Sequence, residues 1–408
     1  MGTSPPPSRR MNAIIGQSGG PTVVINQSLV GAVLEARRHG SIGRLYGARH
    51  GVEGMLRRDL VDLSRQSRPA LERVAATPGA ALGSVRKKPS EAECAEILKH
   101  LRALDIGYFF YIGGNDSAET AEIVGRLAAQ AGHPVAVFHI PKTIDNDLRE
   151  TDHCPGFGSA ARFVALAFMG DDLDNRSLPG VKINVVMGRH AGFLTAASTL
   201  GRARADSGPH LVYVPERPFG IDRFVADVAG VVGRLGRCLV AVSEGIQDER
   251  GNPIAQAVME TARDAFGNVQ LSGSGALGDA LTQVLKTRLK GLRVRADTLG
   301  YLQRSFTGVV SPVDAREARQ AGALAVRWAA RGAAGGSVSL VRESGPRYRI
   351  TFALTPLEKV ARVTRSLPQE FLNAEGNDVT PAFAAYARPL IGPLPKLGFL
   401  EAPATPGG

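Results

Sequence analysis

Short apolar runs that alternate with longer stretches of helical spacing constrain the fold of this chain more than any other feature of its sequence. The runs cover residues 11–15, 106–112, 135–140, 181–187, 210–214 and 237–242. They are rich in β-branched and aromatic residues, as buried strands are, and most are separated by segments with helical periodicity. This alternation predicts an α/β fold whose mostly parallel sheets are covered by helices on both faces.

The length of 408 residues allows two domains, each with its own core. The chain has no run of 18 or more apolar residues, and residues 1–10 are rich in Pro and Ser without the apolar middle of a signal peptide. We therefore predict a disordered extension over residues 1–10, no membrane partner and a cytoplasmic location. Cys94, Cys154 and Cys238 lie far apart in sequence, which indicates reduced thiols and neither a zinc site nor a disulfide scaffold.

The net charge of +11 favours an anionic partner, either nucleic acid or a phosphorylated metabolite. The basic residues are scattered, and no basic patch is flanked by aromatic residues in the way that single-strand binders require. We therefore expect phosphorylated small molecules and no nucleic acid.

Residues 141–147, with the sequence PKTIDND, directly follow the apolar run 135–140 and carry the groups that a phosphoryl-transfer site needs. A hydroxyl that attacks phosphorus must lose its proton, so a fixed carboxylate can act as the base. A lysine and a metal ion can offset charge on the phosphoryl oxygens. Asp145 is the predicted base. The alternative for Lys142 is a surface ion pair with Asp145 or Asp147.

Glycine-rich turns follow other apolar runs, where backbone NH groups at a helix start can face an anion. They are residues 18–20, 113–117 and 187–192. The first turn precedes a predicted amphipathic helix over residues 23–34. Each turn has an alternative explanation: a tight turn for the first, and a simple helix start for the third. In the second, Asp116 or Ser117 would cap a helix over residues 118–130.

Three further residues are judged from their position alone. Glu244, after the run 237–242, either accepts hydrogen bonds from sugar hydroxyls or is a surface glutamate. His139 is expected to be a satisfied core residue, and His190 a surface one.

The PKTIDND segment resembles the signature of phosphofructokinases, in the branch that uses pyrophosphate. The ATP-dependent enzymes carry glycine at the positions of Lys142 and Asp116. Further segments match in order, namely Gly19–Gly20, residues 83–86, 113–117 and 187–189, Glu244 and residues 300–304.

The resemblance implies a donor site made of Gly19, Gly20, Arg86, Asp116 and Lys142. A carboxylate at position 116 would crowd and repel the α-phosphate of a nucleotide, while Lys142 fills space and attracts the shorter diphosphate. The implied cofactor is Mg²⁺. Its implied ligands are Asn115, where many relatives have aspartate, together with Asp116 and Asp147.

The resemblance also implies the sugar-phosphate site. Thr143, Asp145, Met187, Gly188, Arg189 and Glu244 are assigned to the substrate, and Arg295, Tyr301 and Arg304 to its 6-phosphate. The catalytic set is Asp145, Lys142, Thr143 and Arg189, with Thr143 and Arg189 holding the moving phosphoryl group. Some members of the family complete the sugar site with an arginine from a neighbouring subunit, and neither Lys182 nor Arg176 aligns cleanly with that role.

The implied architecture is a phosphofructokinase fold with the active site in a cleft between two domains. The larger, diphosphate-binding domain is expected to comprise residues 11–150 and about 305–355, and the smaller, sugar-phosphate domain residues 151–304 and about 356–390. Residues 391–408 are expected to form a coil tail, loose or docked. The Gly- and Ala-rich residues 332–336 by themselves predict a turn into a late strand over residues 337–341.

The implied reaction is reversible phosphoryl transfer from pyrophosphate to fructose 6-phosphate, a step of glycolysis and gluconeogenesis, in a homodimer or homotetramer. Two alternatives stay open, an ATP-dependent phosphofructokinase and a non-catalytic sensor of phosphosugars. The sensor is motivated by Asn115 at the metal position.

Overall fold

The structure is a computed structural model that describes residues 10–133, 135–254 and 275–400. The predicted disordered extension, apart from Arg10, lies outside the described residues, as do residues 401–408 of the predicted tail. In the described ranges, every helix is too short or too polar to cross a bilayer.

The strands are, in chain order, β1 (Met11–Gln17), β2 (Ile42–Ala48), β3 (Leu60–Asp62), β4 (Ile106–Gly113), β5 (Ala136–Pro141), β6 (Val181–Val186), β7 (Leu211–Tyr213), β8 (Cys238–Ser243), β9 (Val294–Thr298), β10 (Gly335–Arg342) and β11 (Ile350–Thr355). The helices are α1 (Ile25–Ala36), α2 (Val52–Arg57), α3 (Arg68–Ala75), α4 (Glu91–Ala103), α5 (Asn115–Gln130), α6 (Phe157–Ser177), α7 (Phe193–Ala197), α8 (Ile221–Leu235), α9 (Ala276–Arg288), α10 (Leu302–Ser305), α11 (Pro312–Ala330) and α12 (Pro381–Ile391).

Within the described ranges these strands form two sheets, one in the order β11-β10-β5-β4-β1-β2-β3 and the other in the order β7-β8-β6-β9. In the first sheet only the pairs β2–β3 and β10–β11 are antiparallel. The second sheet is parallel throughout. Parallel strands covered on both faces need apolar side chains on both, and the adjacent residues Phe109 and Phe110 of β4 are both fully buried. The predicted fold class is confirmed.

The strand order brings the predicted motifs together. In the first sheet β5, β4 and β1 are neighbours, so the segments that follow Pro141, Gly113 and Gln17 leave the same edge. In the second sheet β8, β6 and β9 are neighbours, so the segments that follow Ser243 and Val186 also lie side by side. Ligands of open parallel sheets bind at this edge. The predicted domain boundaries themselves stay a prediction.

Local boundaries differ from the sequence prediction in three places. Helix α5 begins at Asn115 after Gly114, so the alternative in which Asp116 or Ser117 caps the helix does not hold. Helix α1 begins at Ile25, after the turn, and not at Val23. Gly335, predicted in a turn, belongs to β10, where it pairs with Val137 of β5.

Two other predictions are settled by contacts. His139 is fully buried, with its ring nitrogens 2.8 Å from Ser337 Oγ and 2.9 Å from the Gly113 carbonyl oxygen, which confirms a satisfied core residue. Burial lowers the pKa of its imidazole to about 4, so the ring is neutral at pH 7. Ile391 of the predicted tail belongs to α12, and residues 392–400 are coil docked on the protein: Arg162 donates to the Pro393 carbonyl at 2.6 Å, and the Phe399 ring lies 5.0 Å from the Arg204 guanidinium.

Candidate functional site

A pocket of about 390 Å³ opens where β1, β4 and β5 end. Its walls contain the candidate donor residues, the predicted base and the candidate metal ligands. The lining residues are Ser18, Gly19, Gly20, Val85, Arg86, Lys87, Lys88, Gly114, Asn115, Asp116, Ser117, Lys142, Thr143, Asp145 and Asp147. The structure therefore brings together four segments of the chain between Ser18 and Asp147.

The segment containing Arg86 reaches this pocket without following a strand. Gly83 adopts a φ of +72°, and a Cβ there would lie 2.6 Å from the His50 ring. Ser84 Oγ donates to the Gly19 carbonyl at 2.5 Å, and the Gly19 NH donates to the Val85 carbonyl at 3.0 Å. These bonds place Arg86 on the wall beside the Gly19–Gly20 turn.

The lysines that follow Arg86 are engaged by carboxylates. Lys87 forms an ion pair with Glu93 of α4 at 2.5 Å, and Lys88 pairs with the buried Glu119 of α5 at 2.7 Å. Sequence analysis predicted no role for either lysine. Their ion pairs attach the loop that carries Arg86 to α4 and α5.

Lys142 lies buried in the floor of the pocket, with only 3% of its surface exposed. Its Nζ donates to the Gly20 carbonyl oxygen at 2.7 Å. The pKa of the ammonium is lowered to about 7, chiefly by burial and then by the nearby charge of Arg304, while Asp145 opposes the shift. The alternative of a surface ion pair therefore does not hold.

Asp145 carries a buried carboxylate oxygen, Oδ1, which has no hydrogen-bond partner among the described residues. Burial raises the pKa of this carboxyl group to about 7, and the charges of Asp147 and Glu244 add to the effect. A carboxylate with a pKa near the working pH, and with an oxygen that no described residue engages in a hydrogen bond, is suited to take a proton from a bound hydroxyl. The backbone NH of Asp145 is held by Thr143 Oγ1 at 3.1 Å.

Asn146, between the two aspartates, holds their loop in shape, and sequence reasoning missed it. Its φ is +59°, in the left-handed region that asparagine tolerates better than most residues. Its Oδ1 accepts from the Cys154 NH at 3.0 Å, and its Nδ2 donates to the Tyr386 hydroxyl at 2.8 Å. Its place between the predicted base and a candidate metal ligand was the only sequence signal that could have found it.

The candidate metal ligands line the pocket, but they do not form a cage by themselves. Asn115 Oδ1 accepts from the Asp116 NH at 2.9 Å, and the Asp116 side chain is exposed. Burial raises the pKa of Asp147, and a hydrogen bond from Thr143 opposes this. The part of the chain that the structure describes contains no group of three or more His, Cys, Asp or Glu side chains arranged to hold a metal ion.

The turn after β6 contains the candidate substrate residues Met187, Gly188 and Arg189. Gly188 has a φ of +138°, and its carbonyl accepts from Ser243 Oγ at 2.6 Å, which fixes the turn against the end of β8. Arg189 is exposed, and its carbonyl lies so close to Gly245 that a Cβ there would approach within 2.1 Å.

Half-buried Glu244 follows β8 directly, and its NH donates to the Val186 carbonyl at 2.9 Å. Its charge acts on Asp145, which puts it in the same cleft. The neighbouring His190 is exposed, as predicted.

Arg304 spans the cleft between the two sheets. A Cβ built on Gly20 would lie 3.0 Å from Arg304 Nε, so the guanidinium lies over the donor turn. Burial and the charge of Arg86 lower the pKa of Arg304, while the charges of Asp145 and Glu244 oppose this. The guanidinium also lies 4.4 Å from the centre of the exposed Tyr301 ring.

Buried Gln303, another residue that sequence reasoning missed, ties the turn that carries Arg304 to the turn after β6. It accepts from the Met187 NH at 3.3 Å and donates to the Gly300 carbonyl at 2.9 Å. Its only sequence signal was its place inside a matched segment.

Arg295 lies elsewhere. It is exposed on β9, in register with Lys182, and lines a separate small pocket with Asp174. Within one chain, Arg295 therefore does not form the predicted cluster with Tyr301 and Arg304.

The two basic residues considered for completing the sugar site are already paired. Lys182 Nζ lies 2.7 Å from Asp171 Oδ1 and 3.0 Å from Asp297 Oδ2. Arg176 pairs with Asp206 at 2.8 Å.

Comparison with known proteins gives one family. Residues 12–329 match the family described as Phosphofructokinase. The chain is 56% identical over 380 residues to pyrophosphate–fructose 6-phosphate 1-phosphotransferase of Rhodospirillum rubrum, which covers 93% of this chain and 94% of that protein. A protein of the same name from Xanthomonas campestris pv. campestris is 39% identical over 389 residues, with coverage of 93% and 91%. A solved structure, the pyrophosphate-dependent phosphofructokinase of Marinobacter aquaeolei, is similar with a TM-score of 0.84 at 34% identity, covering 96% of this chain and 94% of that one.

Proposed function

Because the chain belongs to the phosphofructokinase family, as residues 141–147 predicted, we propose that it transfers a phosphoryl group from pyrophosphate to the 1-hydroxyl of fructose 6-phosphate. The products are fructose 1,6-bisphosphate and phosphate. The observation that carries the proposal is the buried Oδ1 of Asp145, which has no hydrogen-bond partner in the described part of the chain and lies in a pocket that also contains the buried Lys142. A phosphoanhydride and a phosphate ester are close in energy, so the reaction runs in both directions, as glycolysis and gluconeogenesis require.

Asp145 acts as the general base in this reaction. Its Oδ1 accepts the proton of the 1-hydroxyl as the oxygen attacks the terminal phosphorus, and the bond from that phosphorus to the bridging oxygen breaks. Thr143 and Arg189 hold the transferred group. Lys142, held by the Gly20 carbonyl, and Arg86 stabilise the negative charge that the departing phosphate carries.

Magnesium is the cofactor that this chemistry implies, and the residues present fit it. Mg²⁺ is usually held by one or two carboxylates, several waters and substrate phosphates, so a complete protein cage is not required. Asp116 and Asp147 line the same pocket and would hold the ion, with Asn115 offering a carbonyl oxygen. The bound ion supplies neutralisation of the diphosphate oxygens.

The donor is proposed to be pyrophosphate and not ATP because of two side chains. Buried Lys142 fills the floor of the pocket, and Asp116 places a negative charge on its wall at the start of α5. A nucleotide would bring a third phosphate and a nucleoside against these groups, whereas pyrophosphate ends within the pocket.

The donor comparison tests this proposal. Fructose 1,6-bisphosphate formation is measured with pyrophosphate or ATP at equal concentration, with and without Mg²⁺. We expect magnesium-dependent turnover with pyrophosphate alone. Faster turnover with ATP would assign the chain to the ATP-dependent alternative, and no turnover with either donor would leave the phosphosugar sensor.

A double variant tests the physical reason for donor choice. Replacing Asp116 and Lys142 together by glycine should raise the rate with ATP, because it removes both the repelling charge and the side chain that fills the pocket. Asp116→Gly alone is the matched control, since it leaves Lys142 in place. Unchanged ATP use in the double variant would contradict the steric explanation.

The proposed assembly is a homodimer or a homotetramer. Apolar side chains are exposed on α10 and just after it, with exposed fractions of 60% for Leu302 and 42% for Phe306. Neighbouring exposed apolar side chains of this kind are found at subunit interfaces. Light scattering coupled to gel filtration should give a mass of two or four chains, and a monomer at micromolar concentration would contradict it.

The proposed compartment is the cytoplasm. The three cysteines are free and buried, as in proteins kept under reducing conditions. Fractionation of the source cells should find the protein with other enzymes of sugar phosphates.

A further inference from the structure

Residues 364–367, which we call the connecting segment, run between the loop that carries Asp145 and the turn after β6. Thr364 forms an isolated antiparallel bridge with Leu148 of that loop. The segment lies more than 200 residues beyond the loop in sequence, and the sequence analysis predicted no function for it.

Arg365 of the connecting segment binds the backbone of the catalytic loop at four points. Its NH donates to the Asp147 carbonyl at 2.8 Å, and its Nε donates to the Asn146 carbonyl at 2.8 Å. Its two terminal nitrogens donate to the Thr151 and Asp152 carbonyls, both at 2.7 Å. A guanidinium is a planar fork with five fixed donors, so these bonds define the position of the loop from Asn146 to Asp152.

The same segment holds the substrate side of the cleft. The Arg365 guanidinium lies 5.0 Å from the centre of the Phe193 ring, and Phe193 begins α7 directly after the turn that contains Arg189. Glu216 Oε1 accepts from the Gly192 NH at 2.9 Å and from the Leu367 NH at 2.7 Å. The carboxylate therefore joins the last residue of that turn to the end of the connecting segment.

We propose that Arg365 is a positioning residue for the reaction, which sets the position of the Asp145 loop relative to the Met187–Gly192 turn. The predicted base, Asp145, lies on the loop. The candidate residues for binding the sugar and the moving phosphoryl group, Met187 to Arg189, lie on the turn. Misplacement of reacting groups by about 1 Å can cost roughly 100-fold in rate, so a residue that fixes both sides affects the rate without touching substrate. The inference rests on the proposed function.

The test compares Arg365→Met and Arg365→Lys with Arg162→Met. Arg162 is a suitable control because it is also half-buried and also donates to two carbonyls, those of Ile391 and Pro393, but it holds the C-terminal coil. We expect kcat of Arg365→Met to fall by about 10- to 100-fold, with smaller changes in KM for either substrate. Arg162→Met should keep kcat within about threefold, since any loss there is one of stability.

Arg365→Lys separates positioning from a purely structural role. Lysine keeps the charge but lacks the fork, so this variant should recover most of the melting temperature and still have a reduced kcat. A purely structural role would instead return kcat to the wild-type value together with the melting temperature.

The outcomes are distinguishable. A folded Arg365→Met or Arg365→Lys variant with wild-type kcat would overturn the inference while leaving the proposed function intact. If Arg365→Met does not fold, the kcat of Arg365→Lys decides alone. Lack of pyrophosphate-dependent turnover in the wild-type protein would overturn the proposed function itself.

Discussion

The Nζ of Lys142 donates to the carbonyl oxygen of Gly20 at 2.7 Å, so the buried lysine is held by a neutral group. Its pKa is lowered to about 7, first by burial and then by Arg304, which means that at pH 8 most of the molecules carry an uncharged amine. A bound diphosphate brings negative charge beside Nζ and favours the ammonium form.

Binding of pyrophosphate should therefore be coupled to proton uptake. Titration calorimetry at pH 8 in buffers of different ionisation enthalpy should show uptake of up to about one proton per site. This uptake should decline as the pH falls well below 7, because Lys142 is then already charged before pyrophosphate binds. Lys142→Met should bind more weakly and lose this uptake. Equal uptake in the wild-type and Lys142→Met proteins would show that another group accepts the proton.

Asp145→Asn should lower kcat by roughly 100- to 10,000-fold, the usual contribution of a positioned base. The amide has nearly the same shape as the carboxylate, so fructose 6-phosphate binding and the melting temperature should change little. Steady-state kinetics with calorimetric binding of the sugar phosphate measure both. Full activity in the variant would remove Asp145 from the proposed role.

The acidic limb of the pH–rate profile should lie near pH 7 in the free enzyme, because the pKa of Asp145 is raised to about 7 and the base must be ionised. Activity should rise as the pH increases through this value. The negative charge of Asp147 is one cause of the raised pKa, so Asp147→Asn should move the limb to lower pH. The control is Glu343→Gln, an exposed carboxylate after β10. A limb that stays in place in Asp147→Asn would show that a different group controls ionisation.

Gly31→Ala should destabilise the fold, because α1 and α11 cross at glycines. A Cβ on Gly31 would lie 2.1 Å from the Arg319 carbonyl oxygen, which is backbone and cannot move aside. Overpacking of this kind typically costs about 1–3 kcal/mol in the free energy of unfolding. Gly230→Ala in α8 is the matched control: a Cβ there meets nothing within 4 Å, and the change should stabilise by about 0.5–1 kcal/mol. Thermal unfolding measures both, and equal melting temperatures would contradict the close approach.

Much of the fold and part of the site could be predicted from local sequence. The short apolar runs lie in parallel strands, and the PKTIDND segment follows β5 at the edge where ligands bind. Such predictions succeed because strand periodicity, glycine turns and the place of a loop after a strand depend on neighbouring residues.

The remaining features depend on contacts between distant segments. The sequence could not show that Lys142 is buried, that Arg295 lines a pocket without Tyr301, or that Ser84 binds the Gly19 carbonyl. Each of these depends on which loops meet when the strands are ordered side by side.

The amino-acid sequence was enough to predict the fold class, the family and the chemistry that the loops carry, because these follow from local patterns of residue type. How the loops are held becomes visible in the folded chain alone. Arg365 binds the Asn146 carbonyl across 219 residues of chain, and that bond exists because packing brings the segments together. Burial, which shifts the pKa values of Asp145 and Lys142 toward 7, is likewise a property of the folded chain, since an extended chain leaves both groups in water.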